Sequence, residues 1–364
     1  MISLLWIGFI VFVLAMLAID LFLVNRDPHE VRMKEALGWT GVCVALALLF
    51  NVAVYYIYEH DWLGIGSNFA NLTAPGGPEH LVVPTGMGKR AATEFFTGWL
   101  IEYSLSMDNI FVIALIFAHF RIPAKYQHRV LFWGIMGALI LRGVMILAGS
   151  VLVTRFEWVI YLFGLFLIYT GIKMVGQNSD DYDPEQGIVL RTARRLLPVT
   201  AGLDGERFTT RVDGRLMVTP LFIVLLIVES TDVVFAVDSI PAIFGITRDP
   251  FLVFTSNVFA IMGLRSLYFA LASLMNKFTY LKYSLAFILV FVGVKMMLEG
   301  VHHVRPLVER WSGGLPSWLG WLPVEPVHLT PTVSLSIIAV ALAAGVGVSL
   351  ARPPKKVAAR SATE

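Results

Sequence analysis

Long apolar segments, separated by short polar ones, cover most of the chain. A helix needs about 20 predominantly apolar residues to cross the hydrocarbon core of a bilayer. Nine segments meet this requirement, at residues 2–24, 36–58, 91–120, 130–153, 158–176, 218–244, 251–275, 280–300 and 332–350. The pattern predicts an all-α, polytopic membrane protein with nine transmembrane helices in one transmembrane domain, residues 1–364.

Composition excludes a soluble or a disordered protein. Hydrophobic residues make up 57% of the 364 residues and charged residues 15%, whereas soluble domains have roughly half and roughly a quarter. The formal net charge of +2 provides no general attraction to nucleic acid. A single cysteine, Cys43, can form neither an internal disulfide nor a thiolate metal site.

Lysine and arginine are distributed unevenly between the two sets of predicted loops. The loops on one side carry 18 of these residues and the loops on the other side carry 6. Because basic residues collect in cytoplasmic loops, we predict an outside N-terminus and a cytoplasmic C-terminus. The long loop 177–217 is then cytoplasmic. Its β-prone runs around Asp213 and Gly214 predict a hairpin, and its acidic stretch at 180–185 lacks the spacing of an EF-hand and is interpreted as a solvated linker.

Matching polar residues recur in the middle of the chain and indicate an internal repeat. The first copy covers residues 91–176 (spans three to five) and the second covers 218–300 (spans six to eight). The matching pairs are Glu102 with Asp232, Asp108 with Asp238, Arg142 with Arg265, and Gly171 to Met174 with Gly293 to Met296. The first copy starts outside and the second starts in the cytoplasm, so the copies are inverted. Inverted repeats are typical of secondary transporters, whose substrate sites lie near the membrane midplane.

Two of the repeated spans carry five carboxylates at membrane depth, and such residues are functional candidates by default. They are Glu102, Asp108, Glu229, Asp232 and Asp238. Nearby Asn109 and Ser239 complete a predicted metal site, with Asp20, Asn257, Arg142 and Arg265 as accessory candidates. Oxygen ligands suit Mn²⁺, Mg²⁺ or Ca²⁺ and do not separate these ions. Since crowded carboxylates bind protons readily, proton coupling is a natural addition.

Helical geometry places these acids on different faces. Asp108 and Asp238 lie about 120° around an ideal helix from Glu102 and Asp232. All of them can face one site only if a helix bulges or breaks, and Pro241 makes the end of span six the candidate for such a break. We expect Arg142 and Arg265 to form structural ion pairs with the acids. For Lys173 and Lys295 we expect side chains that extend to the membrane surface.

Two stretches resemble the paired signatures of the TerC family, in particular its Alx branch of bacterial inner-membrane proteins. One runs from Leu100 to Phe111 and the other from Val228 to Ala242. The residues from Phe254 to Tyr268 and from Ala18 to Leu21 are also similar to that family. The resemblance implies export of Mn²⁺ from the cytoplasm, in a fold akin to the LysE-type transporter superfamily. It assigns the site to the five carboxylates.

Other function classes fit the residues less well. The motif Gly-x-Gly-Asp of intramembrane aspartyl proteases does not occur around Asp108 or Asp238, and serine hydrolase and zinc protease motifs are also missing from the sequence. We therefore expect no enzyme activity and no prosthetic group, with Mn²⁺ as a transported substrate, protons as a second ligand and the lipid bilayer as the surroundings. A membrane-protein insertion factor and an exporter of an organic cation stay open as alternatives.

Overall fold

The computed structural model describes residues 2–19, 33–67, 69, 86–156, 158–176, 188–200, 202–212, 214–271, 280–312 and 329–351. Within these ranges the chain is almost entirely helical, with one small hairpin. The helices are α1 Ile2–Ile19, α2 Met33–Glu59, α3 Met87–His119, α4 Ala124–Arg155, α5 Val159–Gly176, α6 Ile188–Leu196, α7 Pro220–Phe244, α8 Pro250–Met262, α9 Leu264–Leu271, α10 Leu281–Ser312 and α11 Pro331–Ala351. The two strands are β1 Thr209–Val212 and β2 Arg215–Val218.

Eight spans in the described residues are long and apolar enough to cross a membrane, and α8 and α9 together make one of them. Helix α1 contributes a shorter apolar segment, Leu4–Ile19. The outward faces of the bundle are hydrophobic, as Leu49 on α2 and Val340 on α11 illustrate with exposed fractions of 66% and 69%. An apolar outer surface and a polar interior require lipid as the surrounding solvent. The chain is therefore an all-α, polytopic membrane protein.

The helices of the two predicted repeats pack crosswise. Helix α3 packs against α8, and α4 packs against α7, so that the first helix of each half contacts the second helix of the other half. The two first helices, α3 and α7, also contact each other, and so do the third helices, α5 and α10. The centre of the bundle is therefore formed by α3, α4, α7 and α8 together.

Glycines allow α5 and α10 to approach closely. A methyl group at Gly293 would lie 2.6 Å from the carbonyl oxygen of Gly164, and one at Gly171 would lie 2.8 Å from that of Ala286. Small residues permit such contacts between membrane helices. The offset of 122 residues that relates Gly171 to Gly293 also relates Gly164 to Ala286. Each of the two contacts is therefore the repeat equivalent of the other. This equivalence supports the inverted repeat, which stays a prediction about the architecture.

The break in the second half lies in its middle span and not at Pro241. Helix α7 runs without interruption from Pro220 to Phe244, and Gly245 N–H closes its last turn by donating to the Pro241 carbonyl at 3.0 Å. Pro241 lies in the last turn, so its missing N–H affects a single hydrogen bond near the helix end. The chain breaks instead at Gly263, between α8 and α9.

The linker before α7 contains the hairpin. Strands β1 and β2 pair antiparallel, with Thr209 opposite Val218 and Val212 opposite Arg215. Gly214 has a φ of 76°, a left-handed conformation that glycine adopts without strain. An ion pair of 3.3 Å between Arg129 and Glu206 ties the linker to the start of α4. The acidic stretch at 180–185 lies outside the described residues.

A buried arginine at the crossing of four helices

The candidate functional site is centred on Arg142 of α4, whose side chain is 2% exposed. Its guanidinium lies where α3, α4, α7 and α8 meet. Both Nε and Nη2 donate to the Asp232 carboxylate of α7, at 3.1 and 2.9 Å. This two-bond geometry is the strongest pairing available to arginine and a carboxylate.

The third nitrogen of the guanidinium serves the other two helices. Nη1 of Arg142 donates to the Asn257 Oδ1 of α8 at 2.9 Å and forms an ion pair with Glu102 of α3. Asn109, two turns further along α3, donates from Nδ2 to the Asp232 Oδ1 at 2.9 Å. One arginine therefore holds two carboxylates and two amides in a single buried network, and the expected ion pairing of Arg142 is confirmed.

Several buried oxygen atoms of this region lack a hydrogen-bond donor among the described residues. They are Oε2 of Glu102, Oδ1 of Asn109, Oε2 of Glu229 and Oγ of Ser239. All belong to α3 and α7. Buried polar atoms are normally paired, because leaving one unpaired costs about 1–3 kcal/mol. Oxygen atoms in this condition are suited to bind a cation or a water molecule.

Glu229 lies one turn before Asp232 on α7 and points at α4. Its carboxylate fills the space beside Gly137, so that any side chain larger than glycine at position 137 would collide with it. It is close enough to Asp232 for the two negative charges to interact. Arg142 is already shared by Glu102 and Asp232, so Glu229 adds a third carboxyl group to this part of the membrane interior.

Asp238 and Ser239 lie further along α7 and are separate from the arginine network. Ser239 is buried, and Asp238 is half-buried. Lys173 of α5 lies near enough to Asp238 to act on its carboxyl group. Lys173 is exposed and lies near the end of its helix, with its ammonium 6.0 Å from the ring centre of Tyr169. This position agrees with the expected extension toward the membrane surface.

The structure leaves part of the predicted site undescribed. Asp20 lies outside the described residues, and the side chain of Asp108 is also outside them, although its backbone belongs to α3. Arg265, at the start of α9, is buried. In the part of the chain that the structure describes, no group of three or more His, Cys, Asp or Glu side chains is arranged to hold a metal ion. Among the described acids of the predicted site, Glu102 and Asp232 are brought together by Arg142.

A second buried polar cluster, which sequence reasoning missed, lies where α2 ends and α3 and α8 begin. The Tyr58 hydroxyl donates to Oδ2 of Asp249 at 2.8 Å, and Oδ1 of Asp249 accepts from the Phe251 N–H at 2.8 Å, which caps α8. Burial raises the pKa of the Asp249 carboxyl, and these two hydrogen bonds act in the opposite direction. The buried Glu94 carboxylate of α3 accepts from Nε of Arg90 at 2.9 Å.

Lys295 of α10 belongs to this second cluster, and the expectation that it extends to the membrane surface is wrong. Its side chain is 4% exposed, and Nζ donates to the carbonyl of Gly245 at 3.0 Å. That carbonyl follows the last turn of α7, where helix carbonyls have no partner within the helix and attract a cation. A charged residue inside a predicted span was the available signal for both Glu94 and Lys295.

Fold and site together define the class of the chain. It is a polytopic α-helical membrane protein whose interior carries ionised side chains, and such side chains in membrane proteins mark ion and substrate pathways. The profile of the family described as "Integral membrane protein TerC family" matches residues 87–356. The chain belongs to the TerC family.

Relatives cover most of the chain. An "Uncharacterized membrane protein STKORF319" of Myxococcus xanthus is 46% identical over 346 residues, which are 95% of this chain and 92% of that protein. The "Putative membrane-bound redox modulator Alx" of Escherichia coli (strain K12) is 44% identical over 303 residues, 83% of this chain and 88% of that protein. An "Uncharacterized membrane protein" of Rickettsia bellii is 39% identical over 298 residues, 82% of this chain and 88% of that protein. No solved structure matches the chain.

Proposed function

We propose that the protein is a secondary transporter that exports a divalent metal cation, Mn²⁺, through the carboxylate site inside the membrane. The observation that carries the proposal is the set of buried oxygen atoms on α3 and α7 without a donor, on Glu102, Asn109, Glu229 and Ser239. Two of these oxygens belong to carboxyl groups and two to neutral side chains, and a cation that binds them during the working cycle would supply the partner that they lack.

The ligand chemistry supports a hard divalent cation. Carboxylate, amide and hydroxyl oxygens bind Mg²⁺, Ca²⁺ and Mn²⁺, whereas zinc and copper favour the imidazole and sulfur ligands that these positions lack. The choice of Mn²⁺ within this group rests on the family resemblance described above. Protons are the proposed second ligand, because a carboxylate such as Glu229 can exchange a bound cation for a proton.

The proposal includes the place and the orientation of the protein. Family membership and the distribution of basic residues support a bacterial inner membrane, with the N-terminus outside and the C-terminus in the cytoplasm. The cation would then enter from the side of the hairpin linker and leave at the end where Tyr58 and Asp249 lie. No enzyme activity and no prosthetic group are part of the proposal.

The name of the Escherichia coli relative refers to redox modulation, which the site of this chain does not suggest as a direct activity. Cys43 is the single cysteine of the sequence, so one chain cannot cycle between a dithiol and a disulfide. A change in cytoplasmic metal content is a route by which a metal transporter affects redox state.

The test is Mn²⁺ flux in proteoliposomes that contain the purified protein, with and without a pH gradient. Glu229→Gln and Asp238→Asn should each lower the flux by about tenfold or more, because they remove charge without changing side-chain size. Glu206→Gln in the cytoplasmic linker is the matched control and should keep wild-type flux. An excess of Mg²⁺, Ca²⁺ or a free amino acid in separate samples identifies the competing substrates.

Two results would contradict the proposal. Wild-type flux no greater than that of empty liposomes, from protein that is folded, would favour a membrane-protein insertion factor. Competition by an amino acid but not by divalent metals would favour an exporter of an organic cation. In either case the carboxylates would have to be explained as a structural charge network.

A further inference from the structure

We propose that Arg142 substitutes for the transported cation. Its guanidinium pairs with the carboxylates when no cation is bound and moves away from them when the cation binds. The inference rests on the proposed transport function and concerns how the empty carrier returns. In the structure the guanidinium satisfies Asp232 with two hydrogen bonds and contacts Glu102 with its remaining nitrogen. These are two of the carboxylates proposed to bind the cation.

The position of Arg142 is that of a ligand bound between the halves of the protein. Its side chain comes from α4, while its partners come from α3, α7 and α8. The network includes Glu102, Asp232 and Asn257, all of which are buried. An ion pair that only fastened two helices would need one partner, whereas this guanidinium is surrounded by oxygen ligands as a metal ion would be.

Charge balance makes arginine and a divalent cation alternatives at this site. Two carboxylates with Arg142 have a net charge of −1, and with a divalent cation in place of Arg142 they are neutral. If both were present, the net charge would be +1 and two cations would be buried in contact. Like charges in a low-dielectric interior repel strongly, and both oxygens of Asp232 already accept hydrogen bonds from Arg142. A cation that binds Asp232 therefore has to displace the guanidinium.

Arginine is suited to this role because it keeps its charge. A guanidinium is not deprotonated in proteins, so at any physiological pH it compensates one of the two negative charges. Without it, the empty site would carry two uncompensated negative charges through the conformational change, and this is costly in a membrane interior. The empty carrier can therefore return with Arg142, and without a proton, on Glu102 and Asp232.

The inference separates two activities of one protein. Exchange of Mn²⁺ on one side for labelled Mn²⁺ on the other side uses only the loaded carrier. Net efflux also needs the empty carrier to return. Arg142→Gln removes the charge that the empty carrier needs, so net efflux should fall by about tenfold or more relative to exchange. Arg142→Lys preserves the charge, and its ratio of net efflux to exchange should stay within about threefold of wild type.

The experiment uses the purified full-length chain in proteoliposomes loaded with labelled Mn²⁺, assayed with and without unlabelled Mn²⁺ outside. Exchange by the Gln variant shows that the variant is folded. Equal loss of exchange and net efflux in both variants would overturn the inference and assign Arg142 a purely structural role. An unchanged ratio in Arg142→Gln, or a Lys variant that behaves like the Gln variant, would also overturn it. If the wild type showed neither activity, the proposed transport function would fail instead.

Discussion

At the scale of single residues, the site depends on which face of a helix each acid occupies. Glu102 and Asn109 are seven residues apart on α3, nearly two full turns, and both contact the Arg142 network. Asp238 is six residues from Asp232 and therefore lies about 120° away from it around α7. A spacing of seven residues thus keeps Asn109 in the network with Glu102, whereas a spacing of six leaves Asp238 outside the network of Asp232.

The first prediction concerns the glycine that faces Glu229. Gly137→Ala would place a methyl group inside the Glu229 carboxylate, so the carboxylate must move away from its position between α4 and α7. We expect Mn²⁺ flux in proteoliposomes to fall by about tenfold to a hundredfold, since displacing a binding group by about 1 Å has effects of this size. Gly41→Ala on α2, where nothing lies within 4 Å, is the control. Equal flux in the two variants would show that the position of Glu229 is unimportant.

At the scale of secondary-structure elements, polar contacts at the helix ends join segments far apart in sequence. Tyr58 at the end of α2 is 191 residues from Asp249, which caps α8, and Lys295 of α10 caps α7. Each contact satisfies a buried backbone or side-chain group, which is the general requirement on helix ends inside a membrane protein.

Removing the hydroxyl at position 58 should destabilise the fold without affecting the site. In Tyr58→Phe the Oδ2 atom of Asp249 loses its donor, and we expect the free energy of unfolding to fall by about 1–3 kcal/mol. Thermal unfolding in detergent measures the loss. Tyr56→Phe, on an exposed face of α2, should unfold like the wild type. Equal unfolding temperatures for the two variants would argue against the hydrogen bond.

The contact between α5 and α10 provides a prediction about packing. Gly293→Ala would bring a methyl group to 2.6 Å from the Gly164 carbonyl oxygen, which forces the two helices apart. Overpacking of this kind usually costs about 1–3 kcal/mol, so the variant should unfold at a lower temperature than the wild type. Gly347→Ala on α11, with open space around it, serves as the matched substitution. A Gly293 variant as stable as this control would show that the helices can adjust freely.

At the scale of the whole molecule, the crosswise packing places the Arg142 network between the two predicted repeats. Movement of α3 and α4 against α7 and α8 would therefore act directly on the contacts of Arg142. Such movement of one repeat against the other is the usual basis of alternating access. In the proposed function, the orientation of the helix bundle in the membrane decides the direction of cation transport.

Chemical labelling can test the predicted orientation. Two exposed positions are suited to labelling in a Cys43→Ser background: Leu216 in the hairpin and Trp62 after α2. The native side chains at these positions are 63% and 56% exposed. With a maleimide that cannot cross the membrane, Trp62→Cys should be labelled in intact spheroplasts and Leu216→Cys only in inverted vesicles. The reverse pattern would invert the topology and make the proposed export an import.

The sequence predicted the class of fold because the signal for a membrane helix is local. A run of about 20 apolar residues requires a helix wherever it lies in the chain, and span 91–120 corresponds to α3 at Met87–His119 with small differences at its ends. The acids of the site were found for a related reason. A charged residue inside an apolar run, such as Asp232, is conspicuous without knowledge of its partners.

The partners were decided by the tertiary structure. Arg142 is 90 residues from Asp232 and 115 from Asn257, and no local pattern indicates that one guanidinium reaches both. The same holds for Lys295. The sequence predicted that its side chain extends to the membrane surface, whereas in the packed bundle it donates to the carbonyl of Gly245. The sequence by itself determined that charge lies inside the membrane, because hydrophobicity is a property of each segment. Which charges meet depends on how the segments cross, and only the packed bundle defines that.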